Sequence, residues 1–404
     1  CYHIFPAMDN DMQRFPRNFA LEQQIEYCHL LEVQLRNKIA KEINEVKIQE
    51  KKEKILLLPP LSENVFVCMT EVADLYHEVA KYENAIDMYN EILKLSNEKD
   101  NRINSTLIKM GKTYISSGKY DQALTFLHQV QGRIEEGGNN NNKNEVGEMY
   151  YNLGTVFFHT GKYEKALEHL NRATDIYNKD NIDNNNSQGR LNSKLRKLAL
   201  ASIYYVMGGV YLQQEDIEQG LEFHTKGLNL RMQQYIENEN GEKDHPDLAK
   251  SYNGVGECCM FQKKYDKALE YHNLALNIYK NRYGFLHHPD VAETFLLFGI
   301  VYLHIDGEIK EKAIPYFMKS LKIHKKTLGE KHADIATTYN YIGQAYLKLG
   351  SLHYAMNYFE LAHDVLILNF GKEHSKVGTS KNNLGCLYYN QQQYTKSYEY
   401  LNEA

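Results

Sequence analysis

Three short stretches carry residue types that can do chemistry. Gly111-Lys112-Thr113 has the ending of a phosphate-binding loop, where backbone N–H groups and a lysine cradle phosphate. Such a loop needs a glycine five residues before its last glycine, and position 106 is threonine. Asp180-Asn181-Ile182-Asp183-Asn184-Asn185 offers the oxygen donors of a calcium loop. It lacks the turn glycine and the closing glutamate at the required spacing. The 17 histidines include no H-E-x-x-H pair, and none stands at zinc spacing from a cysteine. Cys258 and Cys259 have no base near them in the sequence and read as apolar filler of a packed helix. No G-x-S-x-G elbow or G-x-G-x-x-G fingerprint occurs. The expectation is a protein that is not an enzyme and uses no cofactor, no metal and no small-molecule substrate.

Composition then bounds the class. The 404 residues are 43% hydrophobic and 25% charged, as in a folded soluble chain. A net charge of −5 gives no basic stripe for nucleic acid. Seven prolines among abundant Leu, Ala, Glu, Lys and Tyr favour helix. Six scattered cysteines make no disulfide framework and suit a reducing compartment. The most apolar run, Val291 to Ile305, is broken by Glu293, Thr294 and His304, so no membrane insertion is expected. The first residues lack a basic n-region and an apolar h-region. With no initiator methionine, and with Ala404 inside a helical pattern, the chain reads as a fragment.

One pattern recurs: an apolar residue, a small one, two more, then an aromatic. The small residues are Ala73, Gly111, Gly154, Gly208, Gly256, Gly299, Gly343 and Gly385, spaced 38 to 54 apart. The aromatic is replaced only by Cys259. Twelve residues on stands a second small residue: Ala85, Ala123, Ala166, Gly220, Ala268, Ala355 or Ser397, with Ala313 two residues late. A bulky residue follows four further on, from Tyr89 to Leu401. This is the pattern of antiparallel helix pairs, A and B. Small residues let the helices approach, and turns such as Gly118-Lys119-Tyr120 and Gly161-Lys162-Tyr163 supply left-handed caps. One pair cannot bury its apolar face alone, but stacked pairs share a core.

Residues at these spacings resemble the tetratricopeptide repeat (TPR). The resemblance covers eight repeats over 64–404, at about 64–97, 104–131, 147–178, 198–235, 247–282, 290–327, 334–369 and 376–404. It implies an all-α, right-handed superhelical solenoid of roughly one turn. The later repeats also resemble kinesin light chain. They share its period of about 42 residues and its linker, as His245-Pro246-Asp247-Leu248-Ala249 and His288-Pro289-Asp290-Val291-Ala292. Weaker copies start at His332 and His374. The Asp of this linker suits a helix start, where its carboxylate can meet unpaired N–H groups.

Residues 1–60 approximate an amphipathic helix through Leu21, Ile25, Cys28, Leu35, Ile39 and Val46, stopped by Pro59-Pro60. It is expected to cap the first repeat, and is shorter than the heptad region of kinesin light chain. GGNNNNKN at 137–144 and KDNIDNNNSQG at 179–189 read as tolerated polar insertions. They separate repeats one to three from four to eight.

In TPR arrays helix A lines the concave face. By that resemblance Asn253, Asn340 and Asn382, three before the small glycine, face a groove, with Asn152 and Asn383 one position later. An Asn amide both donates and accepts, so it can pair with a peptide backbone of any sequence. The position after the glycine and the one four further on add Lys112, Glu257, Gln344, His159, Gln213, His304, Lys348 and Asn390. The carboxylate clamp of chaperone-binding TPR proteins is absent. Ile108, Lys112, Asn152, Ser202 and Val206 stand at its positions, and only Asn152 fits. The implied function is a cytoplasmic adaptor or scaffold that binds peptides or helices of other proteins, as kinesin light chain recruits cargo. The alternative is a constitutive subunit of a cytoskeletal or ciliary assembly.

Overall fold

The computed structural model describes residues 63–96, 102–136, 142–178, 187–236, 243–283, 288–305, 311–372 and 374–404, without the side chains of 63–65 and 187–191. The expected helix at 1–60 and most of both Asn-rich linkers lie outside these residues. The described residues form sixteen helices and no strand. In chain order these are α1 Glu63–Glu78 with α2 Tyr82–Leu95, α3 Ile103–Ser116 with α4 Tyr120–Glu136, and α5 Lys143–His159 with α6 Tyr163–Asn178. They continue with α7 Ser187–Gln213 and α8 Ile217–Tyr235, α9 Pro246–Phe261 and α10 Tyr265–Tyr283, and α11 Pro289–His304 and α12 Ala313–Leu328. The last four are α13 Ala333–Lys348, α14 Leu352–Phe370, α15 Ser375–Asn390 and α16 Tyr394–Asn402. The fold is the expected all-α TPR solenoid. The chain divides into two compact units, Cys1–Val156 and Phe157–Ala404, with the division inside α5.

The repeat pattern reflects close contact between helices A and B. A methyl group on Gly299 would come within 2.3 Å of Phe317, and one on Gly256 within 2.6 Å of His272. The bulky B residue fills the space that a missing A side chain leaves. In the sixth repeat Ala313 comes two residues late, yet Phe317 still meets Gly299. The extra length is taken up before α12. Turn glycines Gly118, Gly161 and Gly350 adopt the left-handed conformation, at φ near 74° for the first. Ala80, Glu215, Lys263 and Gln392 take positive φ without being glycine, which costs each about 1–2 kcal/mol.

Helices pair within a repeat, as α1 with α2, α3 with α4 and α7 with α8, and B helices also pack on the next A helix, as α8 on α9 and α10 on α11. In the second unit the A helices α7, α9, α11 and α13 also touch in sequence. They approach one another more closely than their B partners do, so the A side is the inner side of the curve. Cys68 is disulfide-bonded, and Cys258, Cys259 and Cys386 are free. No helix among the described residues is long and apolar enough to cross a membrane.

Candidate functional site

The inner wall is held in place by two hydrogen-bonding devices between repeats. The first is a buried hydroxyl five residues before the small glycine of helix A: Thr106, Ser251, Thr294, Thr338 and Ser380 are all at most 1% exposed. Side chains of neighbouring helices end on the last four of these hydroxyls. His324 Nδ1 meets Thr338 Oγ1 at 3.4 Å, and His363 Nδ1 meets Ser380 Oγ at 2.7 Å. Arg231, 2% exposed, donates to Ser251 Oγ at 2.7 Å, to Ser202 Oγ at 3.0 Å and to the Asp247 carbonyl at 2.9 Å. One guanidinium thereby joins α7, α8 and α9. A buried donor left without its acceptor costs about 1–3 kcal/mol, so these pairs disfavour other docking registers.

The second device corrects an expectation about the linkers. The histidine, rather than the Asp carboxylate, caps each helix. Nδ1 of His245, His288 and His332 accepts the N–H of Asp247, Asp290 and Asp334, each at 3.2 Å, and Nδ1 of His374 accepts that of Lys376 at 3.1 Å. An accepting Nδ1 requires the tautomer with hydrogen on Nε2. The imidazole also stacks on the last aromatic of the preceding B helix: His245 on Tyr235 at 4.1 Å, His288 on Tyr283 at 4.0 Å and His374 on Phe370 at 4.4 Å. A shorter Asn or Ser cap could not reach that ring.

On the wall so formed, side chains of successive A helices converge. Tyr205 on α7, Glu257 on α9, Glu293 on α11 and Tyr341 on α13 lie close enough to act on one another electrostatically. Glu293 is solvent-exposed and Glu257 half-buried, yet protein crowds both. Burial pushes the Glu257 carboxyl up to about 7. Burial first, then the charges of Asp290 and Glu257, push Glu293 up to about 8, with Lys250 opposing. Burial, then Glu257, raises the Tyr341 phenol to about 12. Lower along the wall, burial and the neighbouring Lys376 hold His159 down to about 4.

The expected groove residues divide. Glu257 belongs to this wall. Asn340, Gln344 and Asn383 are half-buried, while Asn382 and Asn390 are exposed on α15. His159 is half-buried, and Gln213 and His304 are exposed. Lys348 is exposed and donates to the Leu303 carbonyl at 3.0 Å, at the C-terminal end of α11, where a cation is favourable. Lys112 is exposed on the first unit.

Two asparagines must be reassigned. Asn253, 2% exposed, gives its carbonyl to His272 and its amide to Thr294, so it cannot take a peptide. Its neighbour at the bulky B position is a histidine, whereas Asn340 and Asn382 face repeats with Phe359 and Leu401 there. Asn152 is also buried, at 2% exposed. Sequence reasoning passed over Glu293 as a break in an apolar run. Its position six residues before Gly299, one helical turn below the expected groove row, was the available signal.

The tetratricopeptide repeat family matches residues 102–179, 199–281, 247–311 and 310–367, and a second description of the same repeat matches 379–404. The chain belongs to the tetratricopeptide repeat family. It is similar to the clustered mitochondria protein homolog of Homo sapiens, 26% identical over 132 residues, and to that of Emericella nidulans, 27% identical over 123. These stretches are 33% and 30% of this chain, and the match spans only 10% of either relative. Among solved structures, a Rap protein complexed with Competence and Sporulation Factor shares the fold with a TM-score of 0.59, at 14% identity, covering 94% of this chain and 96% of that one. Nearly identical TPR-like repeats of kinesin light chain type from Podosopora anserina align at a TM-score of 0.38 and 17% identity, over 50% of this chain and 90% of theirs.

Proposed function

We propose that this chain is a non-enzymatic interaction module that holds a peptide or helix of a partner protein against the A-helix wall of its second unit. It would act as an adaptor in the cytoplasm, in the manner of kinesin light chain, with no role in binding nucleic acid. The carrying observation is the wall itself. Consecutive A helices touch along one side, and Tyr205, Glu257, Glu293 and Tyr341 on them are within electrostatic reach of one another. Concave surfaces with convergent polar groups are the usual seat of ligands. Half-buried Asn340 and Gln344 continue this surface with amides able to pair with a peptide backbone.

The test is quantitative affinity capture from native extract. Wild type is compared with Asn340→Asp plus Asn382→Asp, and with Leu361→Arg on an exposed position of B helix α14. A partner lost with the first variant and kept with the second supports groove binding. The reverse pattern places binding on the outer face and overturns the proposal.

A further inference from the structure

We infer that the outer, B-helix face of the second unit pairs with the same face of a second copy of this chain, about a two-fold axis running along α14. This goes beyond the groove reading and leaves the A-helix wall of each copy open. The seam lies on α14. Tyr354, Tyr358, Leu361, Val365 and Leu368 follow one another at spacings of four and three, the rhythm that keeps apolar side chains turned toward a second helix. Tyr354, Leu361 and Leu368 are 56%, 45% and 61% exposed, and Tyr358 and Val365 are half-buried. In the preceding repeat, the places of the three exposed residues are taken on and just before α12 by Lys312, Lys319 and Lys326. The fold therefore does not demand apolar side chains there, and α14 carries them for another reason.

Charge flanks the seam on both sides, with opposite sign. Tyr358 Oη lies 4.0 Å from Met318 Sδ, which sets α12 directly beside the seam. α12 contains no acidic residue, and Lys319, Lys322 and Lys326 are exposed on it. Lys319 lies over the rings of Tyr316 and Phe295, at 5.3 and 5.5 Å. On the other side, Glu360 holds on α14 the place that Met318 holds on α12, so it points toward α16 as Met318 points toward α14. Asp364 follows one turn later, and both acids are exposed. α16 packs on α14 through Phe359, Leu387 and Tyr400, and adds exposed Glu399. Its Lys396 is held over the Tyr388 ring, at 5.4 Å. Lys322, Lys326, Glu360, Asp364 and Glu399 make no ion pair among the described residues.

From α12 to α16 the surface thus runs basic, apolar, acidic. A two-fold contact uses one patch twice, so that patch must complement itself. Rotation about an axis along α14 lays the seam on itself in register and exchanges the two flanks. The lysines of one copy then meet the acids of the other. Antiparallel pairing would set lysines against lysines, which is repulsive. The seam runs about 20 Å along α14. With one flanking helix on each side, the contact falls in the lower range of specific interfaces, so the dimer should exchange with monomer.

Sedimentation equilibrium of the full chain, between about 1 and about 200 μM, tests this. A monomer–dimer equilibrium is expected, with about tenfold or greater weakening by Leu361→Arg. Leu368→Arg replaces that variant should circular dichroism show it misfolded. Lys322→Glu plus Lys326→Glu makes both flanks acidic, and Glu360→Lys plus Asp364→Lys makes both basic. Each pair should weaken self-association about tenfold or more, and the two variants mixed in equal amounts should form a heterodimer about as tight as wild type. A wild type that stays monomeric throughout would overturn the proposal, as would a dimer that Leu361→Arg leaves intact. Charge variants that dimerise alone as wild type does, or that fail to associate when mixed, would overturn the charge-matched two-fold. Asn340 and Asn382 lie on A helices, so their variants test the groove reading separately.

Discussion

Nδ1 of His272 lies 3.0 Å from Oδ1 of Asn253, and the direction of this bond is fixed by what lies beyond it. Thr294 Oγ1 donates to the Asp290 carbonyl at 2.9 Å, so it must accept from Asn253 Nδ2, also at 2.9 Å. The Asn253 carbonyl therefore faces His272, which carries its hydrogen on Nδ1. The relay runs from α10 through α9 to α11 and leaves no group of Asn253 free for a ligand.

Replacing Asn253 with alanine strands a donor on His272 and an acceptor on Thr294. The expected cost is about 1–3 kcal/mol, read from denaturant midpoints. Asn382→Ala, at an exposed site, should change stability by no more than about 0.5 kcal/mol. Equal effects of the two substitutions would place Asn253 outside the core.

Gly299→Ala puts a methyl group 2.3 Å from the ring of Phe317, which is itself fully buried. The ring has no open space to swing into, so a loss of about 1–3 kcal/mol is expected. Gly132, in α4, has nothing within 4 Å of such a methyl group. There alanine should stabilise by about 0.5–1 kcal/mol through helix propensity. Thermal unfolding of the two variants should move in opposite directions.

His288→Ala removes both the cap on α11 and the stack on Tyr283. The expected loss is about 1–3 kcal/mol, combining a cap with an aromatic contact. His288→Asn restores the cap without the ring and should recover about half of it. A double-mutant cycle with Tyr283→Leu isolates the stacking part.

Burial holds the imidazoles of His224 and His272 down to about 3, with Arg231 adding to the effect at His224. Their folded values lie below the ordinary one near 6.5. Their stabilising contribution is thus complete above about pH 6.5 and lost as pH falls toward about 3, while the unfolded chain takes up protons. Each histidine contributes a slope of about 1.4 kcal/mol per pH unit in that window. Neither nitrogen of His224 has a hydrogen-bond partner, and other repeats carry Phe at its position. His224→Phe should flatten the stability–pH curve by one proton, measured as denaturant midpoints between about pH 7 and about pH 4.

The helix pairs were legible because their signals are local. Gly299, Ala313 and Phe317 mark a contact within one repeat, and the structure places them as their spacing implied. The groove residues were less legible because their fates depend on partners far along the chain. Asn253 and Asn340 hold the same position in their repeats, but only Asn253 has a histidine nineteen residues on to bond. Glu293 and Thr294 stand side by side in an apolar run, yet one faces the wall and the other sits in the relay. A helical turn separates such neighbours by about 100°, which a linear reading of hydrophobicity does not resolve. The linker histidines looked like motif markers. Their capping role depends on an aromatic at the end of the preceding helix, outside the motif itself.

The inter-repeat relays also restrict the order in which these repeats can be joined. Thr338 gives its hydrogen to the Asp334 carbonyl, and its oxygen lies 3.4 Å from His324 Nδ1 of the preceding repeat. Ser380 gives its hydrogen to Val377 and receives one from His363. Arg231 answers Ser251 in the same way. Each junction thus works as a keyed joint, with a donor on one face and a waiting acceptor on the next. Moving the seventh repeat behind one that presents no donor would leave Thr338 without its match. A library of shuffled repeats should therefore yield folded chains mainly where these keys still meet, so the array behaves as a sentence with fixed word order and not as a string of interchangeable beads.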